Sequence, residues 1–140
     1  MLTRPLLALG PVLALVIGTM APLPALSQDK APPPAPYAKV SDLVKLPEFL
    51  PGLGTMYVDP ATLPAGPFLG YDHDGKLAAT IYMVPIEELQ KGTAYDGLKL
   101  GAPEVSSTDI YYNAGHPGVE VPHVHVVLFH GADAKDRIAK

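Results

Sequence analysis

Cysteine is absent from this 140-residue chain, and so is tryptophan. Without cysteine the chain can form no disulfide bond, no thiolate zinc site and no cysteine nucleophile. Any metal site must therefore take its ligands from histidine, aspartate and glutamate.

The chain also lacks an excess of positive charge, since its formal net charge is −4. Nucleic acids and anionic membranes attract basic surfaces, so we expect neither as a partner. No Gly-rich phosphate-binding loop and no Gly-x-Ser-x-Gly nucleophile turn occurs. Whether the protein is an enzyme stays open at this point.

A long hydrophobic run is missing as well. The apolar stretch 6–20 is short and broken by Gly10, Pro11 and Gly18, which argues against a stable membrane span. Arg4 precedes this stretch, and Ala25-Leu26-Ser27 offers small residues at a cleavage site. Residues 1–27 are therefore interpreted as a cleaved signal peptide, which predicts a periplasmic or secreted protein. The alternative is an uncleaved N-terminal anchor.

The remaining chain divides at about residue 40. Residues 28–39 contain four prolines, which favour polyproline II, and we interpret them as a flexible arm. The alternative is an arm that docks on a neighbouring subunit through Tyr37. Residues 40–140 have the length of a single domain.

The predicted elements of that domain are mostly strands. Asp-Gly at 74–75 between two apolar runs predicts a hairpin, because glycine adopts positive φ without steric cost. Ser41 is a candidate cap for a helix over 42–46, and Pro85 suits the start of a helix over 85–91. Strands are predicted over 55–58, 68–71, 77–84, 105–112 and 121–129. The fold class is α+β and β-rich, a small antiparallel sheet with short helices.

Four of the five histidines lie within the stretch GHPGVEVPHVHVVLFH, residues 115–130. Alternate side chains of a strand share a face, so His123 and His125 point the same way, about 6.6 Å apart in Cα. His116 in the preceding turn is a candidate third ligand, and Glu120 a candidate auxiliary ligand. Three histidines with an open position suit catalytic zinc, and histidine with carboxylate also suits copper or iron.

Other residues fit such a site less well. His130 follows His125 by five residues, which places it on the opposite face of a continuous strand. His73 lies in the hairpin turn and is expected to be solvated. Asp72-x-Asp74-Gly75 resembles the start of a calcium loop, but the later ligands are absent, so a turn is the better interpretation. His-x-His also occurs in strands where both rings are merely hydrogen-bonded, and that alternative stays open.

The stretches 46–85 and 113–130 resemble a family of small exported bacterial proteins of unknown function, related to a ring-forming, sigma-E-controlled hypothetical protein. The resemblance covers roughly residues 48–130, with Gly-His-Pro at 115–117 and Val-Pro-His at 121–123 as its specific motifs. The family pattern often continues Pro-His-x-Asp-x-His, whereas His125 and Val127 occupy those last two positions here. The resemblance implies a β-rich fold and the possibility of ring oligomers, but it does not indicate which activity the protein has.

Two functions follow from these observations. The first is an exported domain that binds a divalent transition metal (zinc, copper or iron) through His116, His123 and His125, with Glu120 as auxiliary. The second is a homo-oligomeric structural or envelope-stress protein without metal, in which residues 124–129 form a pairing surface. A small-molecule binder or hydrolase that uses the same histidines is a third, weaker hypothesis.

Overall fold

The computed structural model describes residues 28–140, so the predicted signal peptide at 1–27 lies outside the described residues. Over the described range, seven strands form one sheet: β1 (Ala38–Lys39), β2 (Phe49–Leu50), β3 (Gly54–Val58), β4 (Phe68–Tyr71), β5 (Leu77–Pro85), β6 (Ser107–Asn113) and β7 (His123–Phe129). Three short helices accompany them: α1 (Val40–Leu43), α2 (Ile86–Gln90) and α3 (Ala134–Arg137). A 3-10 turn covers Pro60–Thr62.

Every strand pairing is antiparallel, in the order β1-β3-β4-β5-β7-β6, and β2 also pairs with β3. The predicted β-rich α+β class and single domain are thereby confirmed. In the described chain β5 is the central strand, and all nine of its residues are buried. No helix within residues 28–140 is long and apolar enough to cross a membrane.

The alternation along β5 separates two faces of the sheet. Ala79, Ile81 and Met83 belong to the main apolar core, to which Ala134 and Ile138 at α3 also contribute. The residues between them, such as Thr80 and Tyr82, lie on the other face, where Tyr82 donates to the carbonyl oxygen of Lys99 at 2.5 Å. The segment between α2 and β6 therefore covers part of that second face.

The predicted hairpin is confirmed as β4 and β5, joined by a turn at residues 72–75. Asp72 Oδ1 accepts hydrogen bonds from the backbone N–H groups of Asp74 (3.0 Å) and Lys76 (2.8 Å). Gly75 has φ +72°, which an L side chain rarely adopts. The Asp72 carboxylate closes the turn, as an aspartate does in an Asx turn.

The start of the domain differs from the expected boundary. β1 pairs with β3 through Ala38 and Val58, inside the segment interpreted as an arm. The Ala31 N–H also donates to the carbonyl oxygen of Gly75 at 2.8 Å. An extended proline-rich chain retains backbone groups that a sheet can bind, and this explains the contacts.

The first helix also begins earlier than predicted. α1 starts at Val40 with Lys39 as its N-cap residue, and no side chain caps it. Ser41 lies within the helix and is not its cap. The pairing of β1 with β3 sets where the chain turns into α1, and Val40 is buried in the core. The second predicted helix is confirmed, with Pro85 as the N-cap residue of α2.

Candidate metal centre

The start of β7 positions two of the candidate ligands. His123 and His125 alternate with half-buried residues, so their side chains share the core face of the sheet. In the register of the sheet, His125 lies between Met83 on β5 and Tyr111 on β6. Strands on both sides therefore fix the backbone of these two histidines.

The loop between β6 and β7 positions the third candidate ligand. His116 and Val119 exchange two backbone hydrogen bonds of 3.0 Å around Pro117 and Gly118. Proline followed by a glycine with φ +91° is typical of a type II turn. Val119 is buried in the core and anchors the turn. The sequence His-Pro-Gly-Val therefore folds His116 back toward β7.

The three rings meet at their Nε2 atoms. His123 Nε2 lies 3.2 Å from His116 Nε2 and 2.9 Å from His125 Nε2. One ligand atom from each of the three residues lies within 4.8 Å of the others. At a Zn–N bond of 2.0–2.1 Å, tetrahedral nitrogens would lie roughly 3.3 Å apart. The two distances from His123 Nε2 are close to that value, and all three ligand atoms lie near enough to converge on one small metal ion.

The opposite ring nitrogens face oxygen atoms. His123 Nδ1 is 2.7 Å from the carbonyl oxygen of Val121, and His116 Nδ1 is 3.0 Å from that of Pro117. A carbonyl oxygen only accepts, so each of these Nδ1 atoms carries the hydrogen and donates. In the neutral rings both Nε2 atoms therefore present lone pairs to each other. Metal-binding histidines show this arrangement, with the outer nitrogen held by an oxygen.

Burial favours the neutral, ligand-competent form of His125. The His123 side chain is fully buried, His125 is 2% exposed, and His116 is half-buried. Burial, with the electrostatic influence of the neighbouring His123 and then of His116 as further causes, lowers the pKa of His125 to about 4. A buried neutral imidazole offers its lone pair to a metal without first losing a proton.

Tyr111 is a further residue of the site, which was not among the candidates predicted from the sequence. Its hydroxyl lies 3.1 Å from His125 Nδ1, and the two rings are 5.0 Å apart at a tilt of 48°. Burial, followed by the charge of Asp109, raises the pKa of the Tyr111 hydroxyl. The β6–β7 pairing places Tyr111 directly opposite His125, and this register is not visible in the local sequence pattern.

The structure places the remaining candidates elsewhere. Glu120 is exposed and lies outside the three-histidine group. His130 is buried on the opposite face of the sheet, as predicted, where its Nε2 lies 2.7 Å from Thr80 Oγ1. His73 is exposed and stacks on Phe49 with ring centroids 3.8 Å apart.

The fold has a counterpart among solved structures. The chain is similar to the hypothetical protein TTHB210 from Thermus thermophilus, with 37% sequence identity and a TM-score of 0.58. The similarity covers 68% of this chain and 94% of that protein. No family model and no curated protein matches the chain. The description of the neighbour names no activity, so the function must be argued from the site.

Proposed function

The chain belongs to the protein family of the hypothetical protein TTHB210 from Thermus thermophilus, and from its histidine cluster we propose that it is a metal-binding protein. It binds one divalent transition metal ion through the Nε2 atoms of His116, His123 and His125. The observation that carries the proposal is the convergence of three Nε2 atoms whose partner nitrogens face oxygen atoms. Zinc is the first candidate, because three histidines with an open position suit it, and copper or iron follow.

The decisive experiment measures the metal content of tag-free protein isolated from its native compartment. We expect about one metal ion per chain, as in mononuclear histidine sites. The double variant His123→Ala with His125→Ala should lose that metal, whereas His73→Ala should retain it because His73 lies on an exposed turn. Unchanged metal content in the double variant would contradict the proposal.

Glu120 remains a candidate auxiliary ligand within this proposal. It follows Val119, whose backbone pairs with His116, so its carboxylate is carried by the same loop as one ligand. Glu120→Gln retains the size of the side chain and removes its charge. A weaker metal affinity in this variant would support an auxiliary role, and an unchanged affinity would limit the site to the three histidines.

Export is the second part of the proposal, with residues 1–27 as its signal. The support is the sequence alone: Arg4, the apolar stretch 6–20 and the small residues before Gln28. N-terminal sequencing of protein from the periplasmic or secreted fraction should begin at Gln28. Protein that retains Met1 and stays in the cytoplasmic fraction would contradict export.

A homo-oligomer is the alternative function, and one observation favours it. Apolar side chains extend across the outer face of β6 and β7, where the two strands pair in register. We call these residues the outer patch: Ile110, Tyr112, Val124, Val126 and Leu128. Ile110 is 68% exposed and Tyr112 is 62% exposed, and such contiguous apolar surface commonly contacts a partner.

The outer patch also corrects the pairing surface expected at residues 124–129. β7 lies between β5 and β6, so its edges are already paired and only half of its side chains point outward. Light scattering of tag-free protein tests the alternative. We expect a multimer that Ile110→Lys with Tyr112→Lys reduces to smaller species, and a monomeric wild type would exclude this alternative.

A further inference from the structure

A pocket of about 250 Å³ opens beside the histidine cluster. Its histidine side is formed by His116 and His125, with Tyr111 and Asn113 next to them. The rest of the lining is apolar and comes from the loop after α1, from β2 and the turn that follows it, from β3 and from β5: Leu46, Leu50, Pro51, Leu53, Met56 and Met83. The pocket therefore joins a cluster of ligand nitrogens to a hydrocarbon surface.

The charge of a loaded site determines what can fill the remaining coordination position. Three neutral imidazoles leave the two positive charges of a divalent ion uncompensated. None of the described residues that line the pocket is an aspartate, glutamate, lysine or arginine. In a poorly solvated site such a charge favours an anionic ligand strongly.

The remaining features of the pocket narrow the chemical class of that anion. Ligand pockets typically measure about 300–1,000 Å³, so a smaller pocket suits a small molecule, not a large cofactor or a peptide. Asn113 lines the pocket as well, and its amide NH₂ group is a hydrogen-bond donor. A ligand with one anionic end and a hydrocarbon body matches both the polar and the apolar residues that line this pocket.

We propose that this pocket binds a small monocarboxylate with an apolar tail. The carboxylate takes an open position of the metal ion held by the histidine cluster, and the tail contacts the wall of leucine and methionine. This inference rests on the proposed metal site, because the carboxylate needs the ion as its partner. Each methylene group that the wall buries raises the affinity roughly fourfold.

The test uses protein loaded with Co²⁺, whose visible absorption reports the ligands of the ion. Hexanoate is titrated against acetate, which lacks the tail, and against hexanol, which lacks the charge. We expect hexanoate to change the Co²⁺ spectrum and to bind about 10- to 100-fold more tightly than acetate. Hexanol should leave the spectrum unchanged.

A variant of the pocket wall tests the contribution of the pocket separately from that of the metal ion. Leu50→Trp fills the pocket from its half-buried wall, so hexanoate should lose at least about tenfold in affinity while acetate stays unchanged. Leu98→Trp is the matched control, because Leu98 is exposed and lies outside the pocket. If Leu50→Trp fails to fold, Leu46→Asn is the second variant. It makes the pocket wall more polar, so it should likewise weaken the binding of hexanoate and leave that of acetate unchanged.

The outcomes distinguish the two proposals. If Co²⁺ does not bind, the proposed metal function fails, and the ligand proposal fails with it. If Co²⁺ binds but hexanoate and acetate have equal affinities, the metal site stands and the ligand proposal is overturned. The ligand proposal is likewise overturned if hexanol binds as tightly as hexanoate, since the anionic end would then contribute nothing.

Discussion

His116 and His123 point their Nε2 atoms at each other across 3.2 Å, although each ring donates its Nδ1 hydrogen to a carbonyl oxygen. Two lone pairs at that distance repel each other unless a cation lies between them. The His125 Nε2 atom lies 2.9 Å from His123 Nε2, and its partner on the other side is the Tyr111 hydroxyl, which can donate or accept. With both rings neutral, the His116–His123 pair therefore carries a repulsion that a bound metal ion would remove.

The first prediction concerns thermal stability. Zn²⁺ at about 100 times its Kd should stabilise the fold by about 2.7 kcal/mol and raise the Tm by roughly 10 °C. Differential scanning calorimetry with Zn²⁺ and with a chelator measures the difference. His125→Ala should abolish the response and His73→Ala should retain it. An equal rise in both variants would indicate zinc binding elsewhere.

The second prediction concerns the loop that carries His116. Gly115 has φ +129°, and a Cβ there would lie 2.6 Å from the carbonyl oxygen of Glu120. Gly115→Ala must therefore shift the loop, and zinc affinity should fall by at least about tenfold, as it does when support of a ligand is lost. A competition titration with a chromophoric chelator measures the affinity.

Gly92→Ala is the control for that experiment. Gly92 also has positive φ, at +86°, but a Cβ there meets nothing within 4 Å. It should destabilise the fold by about 1 kcal/mol through backbone strain and leave the affinity unchanged. Equal affinity losses in the two variants would show that general destabilisation, not the loop at His116, controls metal binding.

The third prediction assigns Tyr111 a positioning role. Tyr111→Phe removes the hydroxyl that lies 3.1 Å from His125 Nδ1 and retains the packing of the ring. Loss of such an outer hydrogen bond typically weakens metal affinity by about 10-fold or more. Tyr112→Phe is the matched control, since Tyr112 is 62% exposed and points to the opposite face. Similar affinities in both variants would contradict the role.

The sequence predicted the pair His123 and His125 because the period of a strand is two and depends only on local structure. It predicted His116 as a third ligand because Gly-His-Pro-Gly is turn chemistry that reverses the chain. Tyr111 was missed for a different reason. Its partner depends on the register of β6 against β7, which the folded loop at 114–122 sets.

The extent of the core also could not be predicted from local sequence patterns. The arm residue Ala31 contacts the β4–β5 hairpin through its backbone, and a proline-rich sequence contains no signal for such pairing. The pocket wall combines Leu46 and Leu50 with Met56 and Met83, which are separated in the sequence and meet only in the folded sheet. Long-range packing of this kind is not encoded in the periodicity of one segment.

The fourth prediction makes His130 a structural residue. His130 Nδ1 donates to the carbonyl oxygen of Glu104 at 2.6 Å, so its Nε2 accepts from the Thr80 hydroxyl, which in turn accepts from the Gly101 N–H at 2.9 Å. This chain of bonds fixes the segment before β6 to the sheet. His130→Ala should cost about 1–3 kcal/mol, because buried partners lose their hydrogen bonds.

The measurements for His130 separate folding from metal binding. Limited proteolysis should cut His130→Ala near Lys99 faster than wild type, since the segment is released, and metal content should not change. Thr80→Ser retains the hydroxyl and should resist proteolysis as wild type does. Loss of metal in His130→Ala would instead place His130 in the site.

The fifth prediction concerns acid stability. Burial alone would raise the pKa of Asp72, but hydrogen bonds from the Lys76 N–H, from Arg137 and from the Asp74 N–H lower it overall. The Asp72–Arg137 ion pair is nearly buried, with Asp72 5% exposed and Arg137 17% exposed. A carboxyl whose pKa is lower in the folded state stabilises the protein above its unfolded pKa of about 3.9 and loses that contribution as the pH falls.

Unfolding by urea between pH 7 and pH 2 tests this linkage. The free energy of unfolding should fall as the pH drops below about 4, and Asp72→Asn should flatten part of that decline. At pH 7 the variant should be less stable by about 3 kcal/mol, because Arg137 loses its buried partner. Asp96→Asn is the control, since Asp96 is exposed. If both variants follow the wild-type pH dependence, the Asp72–Arg137 pair does not govern acid unfolding.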